Sequence, residues 1–420
     1  MRISVVTVGG REVASLEAAG EWTRQDVCDG LPRCRGALRR AVRLFLGDAE
    51  LVGESTLCSL GACDGSLLQL LVDPMRGLQL LTASVDGTAR LWGVGSGDCH
   101  HKFEGNNCDV MCAEFSPDGS LVAVASATGR VQLCDADSGE QVRSLEGHGA
   151  GNCVMAFSAS GSHVAIGDND GRLVVWNALS GECIFTVPSH RLAACSVAFA
   201  PDGARLSTSS GDGSANVWSA ANGESLHTLR GHSERVSTVE FSPDGSLVVS
   251  ASEDGTAKLW DAASGVCAHT FAGHGSWVWR ATFSPSGASV LTASEDCTAR
   301  LWSVDSGECV RTLKGHRRCV NVAAFSPDGA SVVTASDDRT AKLWSVATGE
   351  CIRTLAGHRR WVRAVAFSPD SVLVATASDD GTAKVWCAST GECMRTLEGH
   401  QGGVRSAAFS PALVGLGGLP

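Results

Sequence analysis

The sequence predicts a mainly β protein: an eight-bladed β-propeller closed by its C-terminal strand, preceded by a small α+β domain. Three observations lead there. Most of the 420 residues repeat with a period of 42 and no insertions, and a period of that length belongs to propellers or solenoids. Gly accounts for 49 residues and there is no Tyr, a composition that favours many tight turns. Within one unit the apolar residues alternate in short β-branched runs bounded by turn signals, and helical spacing is absent.

Residues 1–73 stand outside the repeat. Residues 1–8 and 12–17 alternate in polarity around Gly9-Gly10, a hairpin signal. A polar, helix-capable stretch follows, but Gly30 and Pro32 oppose a continuous helix there. Strands are then expected at 42–46 and 67–72, with a turn at Gly47-Asp48 between them. Residues 74–411 form the repeat region and 412–420 a short tail. One ambiguity concerns 68–72, which stands 42 residues before 110–114. It could serve either the N-terminal domain or the innermost strand of the first blade.

A representative unit reads as four strands. Val236, Val239 and Phe241 mark the first, which stops at Pro243-Asp244-Gly245. Residues 247–252 form the second, Glu253-Asp254-Gly255-Thr256 turns the chain, 257–260 form the third and 266–271 the fourth. Four antiparallel strands per unit make a propeller blade. Fixed residues keep phase throughout. His148, His232, His274, His316, His358 and His400 each follow Gly, and His190 follows Ser. Trp recurs at Trp92, Trp176, Trp218, Trp260, Trp302, Trp344 and Trp386, with Cys134 in the gap. Six residues before each Trp stands Asp86, Asp170, Asp212, Asp254, Asp296, Asp338 or Asp380, with Thr128 in the second unit.

These residues, from Gly-His through Ser-Pro-Asp-Gly to Asp-Gly-Thr-Ala-Lys-Leu-Trp, resemble the WD-repeat family over roughly 74–411. The resemblance implies a propeller used as a binding platform, with a buried network of His, Ser or Thr, Asp and Trp in each blade. The physics agrees: a buried indole N–H needs an acceptor, a buried carboxylate needs donors, and the network is favourable only when every member is satisfied. The expected sets are His190, Thr208, Asp212 and Trp218; His232, Ser250, Asp254 and Trp260; His274, Thr292, Asp296 and Trp302; His316, Thr334, Asp338 and Trp344; His358, Thr376, Asp380 and Trp386. The third unit keeps His148, Asp170 and Trp176 but has Ile166 where the hydroxyl belongs. The second has lost all four members. The first has Thr82, Asp86 and Trp92, with Asp64 in the His position. Eight units span 336 residues, so on a closed ring the His that belongs to Trp92 falls at His400. The C-terminal strand is therefore expected to complete the first blade, which leaves 68–72 to the N-terminal domain and removes the free edges.

The order hairpin, helix, then Arg43-Leu44-Phe45-Leu46-Gly47 and Thr56-Leu57-Cys58-Ser59-Leu60 resembles ubiquitin over the first seventy residues. A β-grasp module is implied, with Val8, Phe45 and Leu71 as its hydrophobic face. The terminal Gly-Gly of a conjugated modifier is missing, since the chain continues through Asp73-Pro74-Met75.

Function is expected where residues vary within this constant frame. After each Gly-His the chain emerges on one face, where neighbouring units bring Trp277, Trp279 and Trp361 beside Arg318, Arg359, Arg360 and Arg363. Trp and Arg dominate binding hot spots, and an acidic or phosphorylated peptide would suit the arginines. The residues preceding the network aspartates, Glu253, Glu295, Asp337 and Asp379, should reach the same face and offset part of that charge. The bland alternative is that the tryptophans are buried and the charges only neutralise one another. Partners are thus expected to be proteins or peptides, including ubiquitin-pathway proteins if the N-terminal module is functional. Receptors of that pathway in the WD-repeat family often carry Arg two residues after Trp-Asp. Here only Trp260-Asp261 keeps the dipeptide, and Ala263 follows.

Other classes fit poorly. Repetition of His and Asp around the ring argues against an active site, and no phosphate-binding loop, nucleophile elbow or metal-binding helix motif occurs. No catalytic residue, cofactor or metal is expected. The 18 Cys include no Cys-x-x-Cys, and six recur at one repeat position, as duplication would leave them. A net charge of −11 argues against nucleic acid. No run is long and apolar enough for a membrane span or a secretory signal, so a cytoplasmic location is expected.

Overall fold

The computed structural model describes residues 2–7, 12–17, 21–23, 26–27, 42–46, 49–51, 56–60, 62–63, 66–72, 77–105, 108–146, 151 and 154–411. They divide into two compact units, one built on the N-terminal strands and the other comprising Leu80–Trp92 and Cys99–Phe409.

The N-terminal unit is a mixed five-stranded sheet. Its strands are β1 (Arg2–Thr7), β2 (Glu12–Glu17), β3 (Val42–Leu46), β4 (Ala49–Glu50) and β5 (Leu67–Val72), in the order β2-β1-β5-β3-β4. β1 and β2 pair antiparallel as the alternation predicts, while β1 and β5 run parallel. β5 is thus engaged on both sides, by β1 and by β3, which resolves the ambiguity over 68–72. Ile3, Val5, Leu44 and Leu68 point to one side and pack with Val27, Leu51 and Leu57 in a small core. Most of the stretch read as helix-capable, together with Val8, lies outside the described residues.

The repeat region forms eight four-stranded antiparallel sheets among the described residues. Blade two runs from Val110–Phe115 to Gln141–Leu145, blade three from Val154–Phe157 to Cys183–Pro188 and blade four from Ala194–Phe199 to Ser225–Arg230. Blade five runs from Val236–Phe241 to Cys267–Ala272, blade six from Val278–Phe283 to Cys309–Lys314, blade seven from Val320–Phe325 to Cys351–Ala356 and blade eight from Val362–Phe367 to Cys393–Leu397. Blade one is composite: Val404–Phe409 pairs antiparallel with Gln79–Ser84, in the register Ala407↔Thr82, ahead of Thr88–Gly93 and Cys99–Glu104. Each innermost strand lies beside that of the next blade, and Val404–Phe409 lies between those of blades eight and two. The cycle closes.

Turn chemistry explains the even strand lengths. In Ser242-Pro243-Asp244-Gly245 the Ser242 hydroxyl donates to Asp244 at 2.6 Å, the Leu247 amide donates back to Ser242 at 2.9 Å, and Gly245 takes φ 73°. That left-handed φ is the conformation glycine adopts most easily. The core lies between blades rather than within them. Ala251, Leu259 and Phe271 of blade five pack with Val278, Phe283 and Trp302 of blade six, and this interface recurs around the ring. Flat sheets that bury both faces against neighbours read as nearly continuous apolar second strands, such as Leu247–Ser252.

Candidate functional site

Five blades carry a complete hydrogen-bonded network, and blade four carries all four residues. In blade seven Trp344 Nε1 donates to Thr334 Oγ1 at 2.8 Å, Thr334 stands 2.7 Å from His316 Nε2, and His316 Nδ1 stands 2.8 Å from Asp338. Asp338 also accepts from the Arg317 amide, at 3.0 Å, and from the Thr340 hydroxyl, at 2.6 Å. Donor bookkeeping fixes the tautomer. The carboxylate only accepts, so Nδ1 carries the proton and Nε2 accepts from the threonine hydroxyl. Blades five, six and eight repeat this with Ser250, Thr292 and Thr376 as the central hydroxyl. Blade one does so across the closure: His400 bonds Thr82 and Asp86, each at 2.9 Å, and Trp92 donates to Thr82. In blade four His190 bonds Thr208 at 2.8 Å but stands 3.5 Å from Asp212.

Electrostatics follow from these bonds. Burial holds His190, His232, His274 and His400 below the usual imidazole range, against the pull of their aspartates. Burial would raise Asp86 and Asp296, but hydrogen bonds from threonine hydroxyls, the ring histidines and backbone amides outweigh it and hold each near about 2. A neutral imidazole beside an ionised carboxylate is a structural joint.

Blades two and three differ. In blade three Asp170 is exposed and, among the described residues, pairs with Arg172 at 2.9 Å, while the buried Asp168 takes over the turn by accepting from the Asp170 and Arg172 amides. His148 lies outside the described residues. In blade two Ser126 and Thr128 bond each other, and Cys134 fills the tryptophan position, its thiol pushed up to about 11 by burial.

The face after the Gly-His pairs divides into two groups. Trp277 and Trp361 are 43% and 40% exposed. Trp279 is half-buried, meets Trp277 edge to face at 5.4 Å and donates its N–H to Cys319 Sγ at 3.2 Å. Arg363 stacks over Trp361 at 4.4 Å and spans two blades, bonding Asp379 at 2.9 Å and standing 3.6 Å from Asp337. Arg405 reaches Asp379 from blade one at 3.4 Å. Glu253 stands 3.8 Å from Arg235, and Glu295 accepts from the Ser276 hydroxyl. The acids therefore neutralise Arg235, Arg363 and Arg405. Arg318, Arg359 and Arg360 are exposed and have no side-chain partner among the described residues.

Two features of this face escaped the sequence reading. Cys297 and Arg339 take left-handed φ values of 68° and 72° at the turn position where Gly87, Gly213, Gly255 and Gly381 stand in other blades. The second feature is a slot beside the network tryptophan. Lys258, Lys342 and Lys384 lie along it and donate to Thr270, Thr354 and Thr396 at 2.8–2.9 Å, while Arg90 and Arg300 lie over Trp92 and Trp302. Blade four has Asn216 there instead, and a cavity of 410 Å³ opens between Trp218, Thr228 and the Pro188–Arg191 segment. Comparing units at the residue four after the network Asp would have exposed both the rule and its exception.

The profile described as "WD domain, G-beta repeat" matches residues 181–219, 223–261, 265–303, 307–345, 349–387 and 391–412, more than half of the chain. The chain belongs to the WD-repeat family. Residues 88–160, which include the blade without a network, match instead a profile described as the anaphase-promoting complex subunit 4 WD40 domain. Among solved structures the propeller is similar to the computationally designed Ika8 protein, at 28% identity and a TM-score of 0.67, over 74% of this chain and 93% of that one. No curated protein matches. Since 1614 solved chains match the chain, the WD-repeat fold by itself says little of the role.

Among the described residues no group of His, Cys, Asp or Glu could hold a metal ion, and no helix is long and apolar enough to cross a membrane. The cysteines of the repeat position, Cys99, Cys183, Cys267, Cys309, Cys351 and Cys393, are exposed and free.

Proposed function

We propose that the protein is a non-catalytic scaffold that captures protein or peptide partners on the face of blades six to eight. The observation that carries this reading is Trp361, 40% exposed with Arg363 stacked on it, together with Arg318 of the neighbouring blade and Arg359 and Arg360, which have no side-chain partner among the described residues. A large indole held by a cation costs little entropy to use as an anchor. The uncommitted Arg318, Arg359 and Arg360 favour an acidic segment, because guanidinium–carboxylate and guanidinium–phosphate bonds are charge-assisted and bidentate. The left-handed Cys297 and Arg339 lie on the same face, and strain retained at adjacent blades is more often found where a surface is used. Propellers of the WD-repeat family generally bind proteins, and the net charge of −11 speaks against nucleic acid.

Affinity purification from cell lysate with the full chain, compared with a Trp361→Ala and Arg360→Ala double variant, tests the reading. Partners retained by the parent should be lost from the variant while its thermal unfolding stays unchanged; undiminished capture would exclude this face.

A second reading, an adaptor in ubiquitin-linked degradation, draws on two observations. Residues 88–160 are similar to the propeller of an anaphase-promoting complex subunit. The strand order β2-β1-β5-β3-β4 with parallel β1 and β5 is that of a ubiquitin-like β-grasp sheet, which supports assigning that fold to the N-terminal unit. Ligase or proteasome subunits among the captured proteins would favour this reading; their absence would leave the general scaffold.

A further inference from the structure

The slot in blade four lacks the lysine or arginine that five sister blades place there. Asn216 is too short to span to Thr228, and the resulting cavity is lined by both along with Trp218, Ser225, Arg191 and Arg230. Asn216 is only 6% exposed, its Nδ2 donates to Ser189 O at 2.8 Å, and its Oδ1 has no hydrogen-bond partner. Buried polar atoms are seldom left over; this one is an acceptor, so whatever completes the slot must bring an N–H or O–H donor to Asn216 Oδ1.

Charge decides what completes it. Arg191 and Arg230 line the cavity, are exposed, and have no side-chain partner among the described residues. The one acid of the lining, Asp212, is committed: Oδ1 accepts from Ser214 at 2.6 Å, and Oδ2 accepts from the Arg191 amide at 3.0 Å and faces His190. The lining thus includes two arginines with no side-chain partner among the described residues, Ser225, Thr228 and the unpartnered Asn216 Oδ1, and no free carboxylate. A ligand cation placed as the sister lysines are would stand beside two like charges.

We propose that this cavity binds a ligand bearing an oxyanion, a carboxylate or phosphate group, held by Arg191 and Arg230, with an N–H or O–H of its neutral remainder donating to Asn216 Oδ1 beside Trp218. The site is on blade four and does not share a residue with the partner face of blades six to eight.

Calorimetric titration of the full chain with inorganic phosphate, acetate, blocked phosphoserine and butylammonium tests this. Saturable binding of one oxyanion per chain is expected, weakened roughly tenfold or more by the Arg191→Ala and Arg230→Ala double variant, since guanidinium–oxyanion hydrogen bonds are charge-assisted. Asn216→Met should block binding to the same degree, because it fills the slot without adding a charge and removes the Oδ1 acceptor. Tighter binding of blocked phosphoserine than of phosphate supports a peptide-borne anion, and the reverse order a free ion. Saturation by butylammonium alone, no saturable binding, or affinity unchanged in both variants would overturn the proposal. Trp361→Ala should leave phosphate binding intact, which separates this site from the scaffold reading.

Discussion

The hydroxyl at the centre of each network serves two buried partners at once. Thr334 accepts from Trp344 and donates to His316, so Thr334→Val would strand an indole N–H and an imidazole nitrogen inside blade seven. A loss of roughly 2–4 kcal/mol in unfolding free energy is expected by denaturant titration, since each orphaned group costs about 1–3 kcal/mol. In blade three Ile166 stands in place of the hydroxyl and Asp170 is exposed, paired with Arg172. The aspartates set the acid limit. Their folded pKa values are depressed, so their stabilisation is complete above the unfolded value and is lost as pH falls through the folded one. For Asp86 and Asp296 that window runs from about pH 4 to about pH 2. Stability should drop steeply there, by up to about 1.4 kcal/mol per pH unit per carboxyl. An Asp296→Asn variant should show a shallower acid limb, and an unaltered limb would exclude the assignment.

At the level of strands and turns, residue types that recur every 42 positions were readable from the sequence. Pro-Asp-Gly and Asp-Gly-Thr bound the strands so closely that few alternatives remain. Contacts across blades were less readable. Arg363 reaches Asp337 of the preceding blade and Arg405 reaches Asp379 one period later, contacts between sheets that strand alternation does not announce, and the expected Trp–Arg cluster is partly clamped by ion pairs. The parallel pairing of β1 with β5 likewise joins segments sixty residues apart in sequence and leaves no local trace. Substitutions inside a turn are easier to evaluate. Arg339 holds φ at 72° where Gly255 holds 81°. Arg339→Gly should therefore relieve strain of about 1 kcal/mol, partly offset by the greater entropy of the unfolded chain. The melting temperature should stay level or rise slightly, while partner capture weakens if the charge at this turn contributes. A clear fall in melting temperature would mean that the Arg339 side chain stabilises the turn.

For the molecule as a whole, everything depends on closure. Seven blades are made of consecutive strands, and one joins Val404–Phe409 to Gln79–Ser84 across more than three hundred residues. His400 reinforces that seam through Thr82 and Asp86. A closed ring gives every blade a neighbour on both faces and fixes the spacing between blades, which sets Trp277, Arg318 and Trp361 on successive blades. Opening the seam would remove the constraint that closure places on the blade interfaces and should lower the cooperativity of unfolding. Hydrogen–deuterium exchange of the full chain measures this most directly. The amides of Leu80–Ser84 and Val404–Phe409 should be as protected as those of Val236–Phe241 and should lose protection together in an Asp86→Ala variant. Rapid exchange of Val404–Phe409 in the parent protein, with the other innermost strands protected, would contradict the closed ring.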